Sequence, residues 1–270
     1  MNTGAAKERV GSSFHRQAAE YDRHTVVQKR VIARLDELIA HHASREPLRL
    51  LDIGCGTGGL LAAMQKRYPL SGLCGLDLAF NMSHMASSRF DGAALIVNGD
   101  AERLPFCDQA FDLVVSASTL QWVPRLDRCF REFHRVSSGD GLICVAFFGE
   151  KTLWELQASY REALRRGGIE ERSSRLRRFM TRDEVAQALS GLGFRQLTVT
   201  SEIELEQHAD VPDLLRAIKG TGAATPAGSA AGGLGWRRVL NDMADIYRSR
   251  FMQNGKIPAT YEVIYVIARG

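Results

Sequence analysis

The feature that most constrains this chain is Gly54-Cys55-Gly56-Thr57-Gly58-Gly59, wedged between the short apolar run Arg49–Ile53 and the Gly- and Pro-free segment Leu60–Tyr68. The run reads as a buried parallel strand and the segment as a helix, so the glycines form a strand-to-helix turn. The alternation then repeats. Gly72–Leu78 reads as a strand, Met82–Phe90 as a helix, and Ala94–Val97 and Phe111–Ser116 as strands. Leu126–Val136 reads as a helix and Gly141–Phe148 as a fifth strand. Short connections between strands and helices over about 100 residues predict an α/β fold, a parallel sheet with helices on both faces.

The flanks differ from this core. Residues 13–45 read as helical, with Val27, Val31, Leu35, Leu38 and Ile39 at helix spacing, and Pro47 ends the segment. After Phe148, helices are expected over Leu153–Arg166, Arg182–Leu189, Val211–Ile218 and Trp236–Met252. Extended segments are expected over Phe194–Glu206 and Tyr261–Ala268. The Gly-, Ala- and Ser-rich stretch 220–235 reads as a linker or a mobile loop over a site. The 270 residues, 45% hydrophobic, fit one domain. Its parts would be a helical N-terminal lid over 1–47, a ligand-binding core over 48–148, and substrate-side helices with a late strand over 149–260.

Several function classes are disfavoured. No apolar run reaches the ~18–20 residues that span a bilayer, and the polar N-terminus lacks a secretory apolar segment, so a cytoplasmic protein with no membrane association is expected. Five cysteines without a Cys-x-x-Cys pair read as reduced, mostly buried thiols, and no metal site is expected. Net charge is +4, but seven arginines and only three glutamates fall between Arg161 and Arg178. That run is either a solvated helical face or a docking surface for an acidic partner.

Gly54, Gly56 and Gly59 satisfy G-x-G-x-x-G, which by spacing alone fits a dinucleotide. Asp52, two residues before the first glycine, argues otherwise. A pyrophosphate would meet a like charge there, whereas S-adenosylmethionine brings an ammonium and a sulfonium. The alternative is that Asp52 only ties down the glycine loop through backbone N–H groups. Asp77 ends the next strand and can accept two ribose hydroxyls. After the third strand, Gly99-Asp100-Ala101-Glu102 offers an acceptor and a backbone donor for adenine. Ser116 to Gln121-Trp122 follows the fourth strand, at the edge where an acceptor substrate would lie.

LLDIGCGTGGL, GLDLAFNM, GDAERLPFCDQAFDLVVS and Gln121-Trp122 resemble the ordered motifs of class I S-adenosylmethionine-dependent methyltransferases over residues 48–148. The resemblance implies a seven-stranded Rossmann-like sheet whose last strand, here Tyr261–Ala268, is antiparallel, with helical lid insertions. It also implies S-adenosylmethionine as cofactor and S-adenosylhomocysteine as product. The cofactor-binding positions carried over are Tyr21, Gln28, Asp52, Gly54, Cys55, Gly56, Gly58, Asp77, Leu78, Met82, Asp100, Ala101, Glu102, Ser116 and Gln121.

The flanks resemble one subfamily, the malonyl-[acyl-carrier-protein] O-methyltransferases of biotin synthesis. The resemblance rests on Phe148-Gly149…Thr152-Leu153…Glu155-Leu156, on Leu215–Ala223, and on Ile257-Pro258-Ala259-Thr260-Tyr261-Glu262 with Val266–Arg269. It implies a malonyl thioester whose free carboxylate is methylated. Its partner would be an acidic acyl-carrier protein bearing malonyl-phosphopantetheine, for which Arg161–Arg178 is the candidate docking face. A carboxylate is already anionic at neutral pH, so no general base is expected. Lys219, Arg178, Tyr21 and Tyr261 are the candidates to hold it. Other readings are a methyltransferase for a different small molecule, with a carbon or carboxylate acceptor, or a non-catalytic S-adenosylmethionine-binding protein. A nucleic-acid substrate is not expected, because Ser116-Ala117-Ser118-Thr119 stands where an Asn/Asp-Pro-Pro-Tyr motif would.

Overall fold

The computed structural model describes Ser12 and residues 25–169, 178–221 and 234–270. Seven strands form one sheet: β1 (Arg49–Ile53), β2 (Gly72–Asp77), β3 (Ala94–Asn98), β4 (Phe111–Ala117), β5 (Ser137–Phe148), β6 (Gln196–His208) and β7 (Ile257–Arg269). Their spatial order is β3-β2-β1-β4-β5-β7-β6. β7 runs antiparallel to both neighbours, and the pairings from β1 to β5 are parallel. The expected architecture, with its antiparallel last strand, is the one observed.

Eight α-helices complete the described residues: α1 (Val26–His42), α2 (Gly59–Arg67), α3 (Phe80–Phe90), α4 (Leu126–Val136), α5 (Trp154–Arg166), α6 (Arg182–Leu189), α7 (Val211–Gly220) and α8 (Leu234–Phe251). Each buries a stripe set by the 3.6-residue period. In α1 the stripe is Val27, Val31, Leu35 and Ile39. In α4 it is Leu126, Cys129, Phe130, Phe133 and Val136. Apolar residues of α1, α2, α5, α7 and α8 pack with one face of the sheet, and those of α4 and α6 with the other. Local chemistry caps two of the helices. Thr181 and Glu184 form a reciprocal cap on α6, and the Asp210 carboxylate accepts the Asp213 N–H at the start of α7.

The sequence reading differs from the structure at the strand ends. β7 begins at Ile257 rather than Tyr261, because it pairs with β6 in unbroken register from Gln196↔Arg269 to His208↔Ile257. A one-turn 3-10 helix over Leu120–Trp122 was not expected. The region 13–24, the stretch 222–233 and Arg172, Arg175 and Arg177 lie outside the described residues.

Two of the flanking motifs meet in space. The Gly149 N–H donates to Glu262 O (2.8 Å), the Leu153 N–H to Thr260 O (2.6 Å) and the Lys151 N–H to the Glu262 carboxylate (3.0 Å). The Trp154 indole N–H donates to Thr260 Oγ1 (3.2 Å), and the buried Glu155 carboxylate accepts the Thr260 N–H (3.3 Å) and hydroxyl. These bonds fasten the start of α5 to β7 beside the end of β5. No described helix is long and apolar enough to cross a membrane.

Candidate active site at the carboxyl edge of the sheet

Strand order reverses at β1, which lies between β2 and β4, and the loops leaving β1 and β4 diverge there. Such a switch point opens a crevice outside the carboxyl ends of the strands. A cavity of about 480 Å³ occupies it.

The glycine loop forms its floor. Gly54 has φ +71°, and a Cβ on it would fall 2.2 Å from Oγ1 and Cγ2 of Thr119. Only glycine allows both the left-handed backbone and this approach. Thr119 in turn donates its hydroxyl to Gly54 O (3.2 Å) and Ala117 O (3.2 Å), so the loops after β1 and β4 are locked together. Gly58, with φ +86°, is the N-cap of α2.

Asp52 is 1% exposed, and neither carboxylate oxygen has a hydrogen-bond partner among the described residues. Desolvation, and then the neighbouring Asp77, push its pKa up to about 8, and the Leu61 N–H works weakly in the opposite direction. The role of tying down the glycine loop falls instead to Asp77. Its carboxylate accepts the Gly56 N–H (2.9 Å) and the Ala79 N–H (2.8 Å), bridging the loop to the start of α3. Burial raises the Asp77 pKa, and these N–H groups partly offset it.

Of the positions marked in the sequence, Gln28, Asp52, Gly54, Cys55, Gly56, Asp77, Leu78, Met82, Asp100 and Ala101 line the cavity. The other described carried-over positions do not. Ser116 is fully buried and donates its hydroxyl to Ile53 O (2.6 Å), pinning β4 to β1. The Gln121 amide donates to Ser118 O (2.7 Å) and its carbonyl accepts the Phe148 N–H (3.4 Å). Glu102 accepts the Arg125 N–H (3.0 Å), and Gly58 sits behind the loop against Phe90. Tyr21 lies outside the described residues.

The proposed carboxylate holders are elsewhere. Tyr261 packs on Phe148 with ring centroids 5.6 Å apart, and burial beside Glu206 raises its pKa. Arg178 is an exposed partner of Glu184, and Lys219 is exposed near the end of α7. None of the three lines the cavity.

The lining also includes residues the sequence reading passed over, Thr25, Lys29, Ile32 and Arg89, and, from the segment it marked as the acceptor edge, Ser118 and Thr119. Thr25, Gln28, Lys29 and Ile32 are spaced i, i+3, i+4, i+7 and so share one stripe of α1. That spacing beside the core stripe was the available signal. Trp122, noted in the sequence beside Gln121, lines the cavity and packs edge-to-face on Phe179 (6.4 Å).

The acids are unevenly distributed. Asp52, Asp77 and Asp100 all come from the ends of β1, β2 and β3. The β4 loop and α1 with its N-cap Thr25 contribute Ala117, Ser118, Thr119, Trp122, Val123, Thr25, Gln28, Lys29 and Ile32 to the lining, with no acid. A buried carboxylate without a partner suits a cationic ligand group, and ribose hydroxyls suit a second carboxylate. The acidic half therefore fits S-adenosylmethionine. No group of His, Cys, Asp and Glu that could hold a metal ion occurs among the described residues.

A family model described as a methyltransferase domain matches residues 51–145. The malonyl-[acyl-carrier protein] O-methyltransferase of Geobacter sulfurreducens is 44% identical over 268 residues, which are 97% of this chain and 98% of that protein. The chain belongs to the malonyl-[acyl-carrier protein] O-methyltransferase family. It is an S-adenosylmethionine-dependent methyltransferase. The Biotin biosynthesis bifunctional protein BioHC of Teredinibacter turnerae is 29% identical over 97% of this chain and 47% of that longer protein. Among solved structures, the YcgJ protein of Bacillus subtilis shares the fold, with a TM-score of 0.59 and 22% identity over 87% of this chain and 97% of that one.

Proposed function

We propose that this methyltransferase esterifies the free carboxylate of a malonyl thioester carried on an acyl-carrier protein, an early step towards biotin. One observation carries the reading: the part of the lining that comes from the β4 loop and α1 holds no acid and includes Lys29. An anionic acceptor would be repelled by a carboxylate-lined wall and is accommodated by this one. The name of the Geobacter sulfurreducens relative points to the same acceptor, and that of the Teredinibacter turnerae relative to biotin synthesis.

When bound, S-adenosylmethionine supplies an electrophilic methyl on a cationic sulfur. Asp52 would face a positive group of that ligand and Asp77 its ribose, while Asp100 and Ala101 lie where adenine would be read. An acceptor carboxylate is ionised at neutral pH. The chain therefore has to align it and exclude water rather than remove a proton. Trp122 and Val123 give the acceptor wall an apolar surface. Methylation would mask a charge that apolar pockets disfavour. The test is transfer of label from S-adenosylmethionine to malonyl-carrier protein, malonyl-CoA and malonate. Labelled ester on the carrier-bound malonyl group is expected, and label on none of the three overturns the reading.

The carrier is proposed to dock along α5. There Glu162 accepts from Arg165 (2.8 Å) and Arg166 (3.0 Å), and Arg161 donates to Gln157 (3.2 Å). Both arginines remain more than half exposed. A positive surface of this kind steers an acidic partner mainly through association rate. Reversing Arg161, Arg165 and Arg166 to glutamate is expected to lower kcat/KM on carrier-linked substrate about 10-fold or more at low salt. Affinity for S-adenosylmethionine should stay unchanged by calorimetry. Equal rates on the carrier at low salt would contradict the docking face.

A further inference from the structure

Three hydroxyls follow one another at the end of β4, and two of them are engaged. Ser116 donates to Ile53 O, and Thr119 donates to Gly54 O and Ala117 O. Ser118, between them, lines the cavity, yet its Oγ is closed off from solvent and has no hydrogen-bond partner among the described residues. Leaving a buried hydroxyl unmatched is unfavourable.

Its backbone is also unusual. Ser118 has φ +55°, the left-handed region that L side chains rarely adopt. A glycine would take this conformation freely, so the side chain adds strain without making any bond that offsets it. Non-glycine residues held this way persist where their surroundings over-determine them, and they concentrate at active sites. Here the surroundings are explicit. The Ser118 N–H donates to Ala146 O (2.8 Å), and its carbonyl accepts the Gln121 side-chain amide (2.7 Å). Gln121 is fixed in turn by the Phe148 N–H (3.4 Å). Both ends of the serine are thus clamped to β5, directly or through Gln121.

We propose that Ser118 is the hydroxyl donor that receives the acceptor carboxylate, and that Gln121 is the positioning residue that holds it there. This rests on the carboxylate-acceptor reading above. Among the side chains of the acid-free wall, Ser118 is the hydroxyl of the β4 loop with no competing bond. Turning Oγ about its single side-chain torsion to meet a ligand therefore breaks no hydrogen bond. A bond to one carboxylate oxygen would orient the acceptor and leave the lone pairs of the other available for the methyl group.

The test uses the full chain with malonyl-carrier protein as variable substrate. Ser118→Ala is expected to raise the KM for the acceptor about 10- to 100-fold, the effect of losing a hydrogen bond to a charged group. Because the bond forms in the ground state and persists, kcat should change little, and the affinity for S-adenosylmethionine by calorimetry should be unchanged. Ser118→Gly should show the same KM while melting at a higher temperature, which separates the lost hydroxyl from relieved strain. Gln121→Met should raise KM similarly, and combining it with Ser118→Ala should add nothing further. If the wild-type protein methylates the malonyl group while both Ser118 variants keep its KM within about two-fold, below the loss expected for such a bond, the assignment is overturned alone. If the wild-type protein does not methylate it, the acceptor reading falls and this assignment with it.

Discussion

Gly54→Ala is expected to weaken S-adenosylmethionine binding by at least about 100-fold while leaving the chain folded. Two effects combine at this position. A side chain in the left-handed region costs roughly 1–2 kcal/mol. The new Cβ would also lie 2.2 Å from two atoms of Thr119, a collision that one of the two loops must relieve, and overpacking of this kind costs about 1–3 kcal/mol. The loops can relieve it only by separating, and together they frame the crevice between β1 and β4. Thr119 also bonds Gly54 O, so the displacement breaks a link as well. Adding Thr119→Gly should recover part of the affinity by removing Oγ1, Cγ2 and the Cβ that would lie 2.6 Å away, but not the part due to φ. Calorimetric titration of both variants checks this. Unchanged affinity in Gly54→Ala would show that the loop does not frame the ligand.

The second large effect concerns Asp52. In the free protein burial, and then Asp77, hold its pKa near 8, far above the usual carboxylate value near 4. Its contribution to stability is therefore fully present below about pH 4 and is lost as pH rises through about 8. A cationic ligand group beside it reverses the preference and favours the ionised form. Binding of S-adenosylmethionine near pH 7 should then release a proton, and affinity should rise with pH up to about 8. Asp52→Asn should abolish both effects and weaken binding about 10- to 100-fold, the range for an interaction with a charged group. Titration in two buffers of different ionisation enthalpy reads the proton directly. Identical heats in both would mean that Asp52 does not change its charge on binding.

The order of the core was legible because a parallel sheet with short connections leaves few topologies once its strands and helices are recognised. The glycine loop, Asp77 and Asp100 could be placed for the same reason: they end β1, β2 and β3. The carboxylate candidates were harder. Tyr261 was chosen by side-chain type, but it shares the face of Ile257, Ala259, Val263 and Tyr265 along β7, all packed in the core. That period-2 alternation was readable in the sequence. Lys219 and Arg178 were likewise chosen for charge, and both are exposed and do not line the cavity. Ser118 could not be told apart from Ser116 by residue type, and nothing in the sequence tied Gln121 to it. What separates them is a left-handed φ and a short 3-10 turn, which local propensity does not encode.

Asp52 and Asp77 carry a related lesson. Either carboxylate could have tied down the glycine loop, and the hydrogen bonds assign that role to Asp77. Asp52 is thereby left without a partner, and the reading of a cationic ligand group rests on that.

In this reading the acid-lined part of the cavity takes the methyl donor, and the part lined by the β4 loop and α1 takes an anionic acceptor. The most direct measurement is to locate the transferred methyl by NMR, after reaction of malonyl-carrier protein with S-adenosylmethionine isotopically labelled in its methyl group. The account predicts label on the carboxylate oxygen, as a methyl ester that base hydrolysis releases as methanol. Label on the malonyl carbon, or on the carrier protein itself, would contradict it.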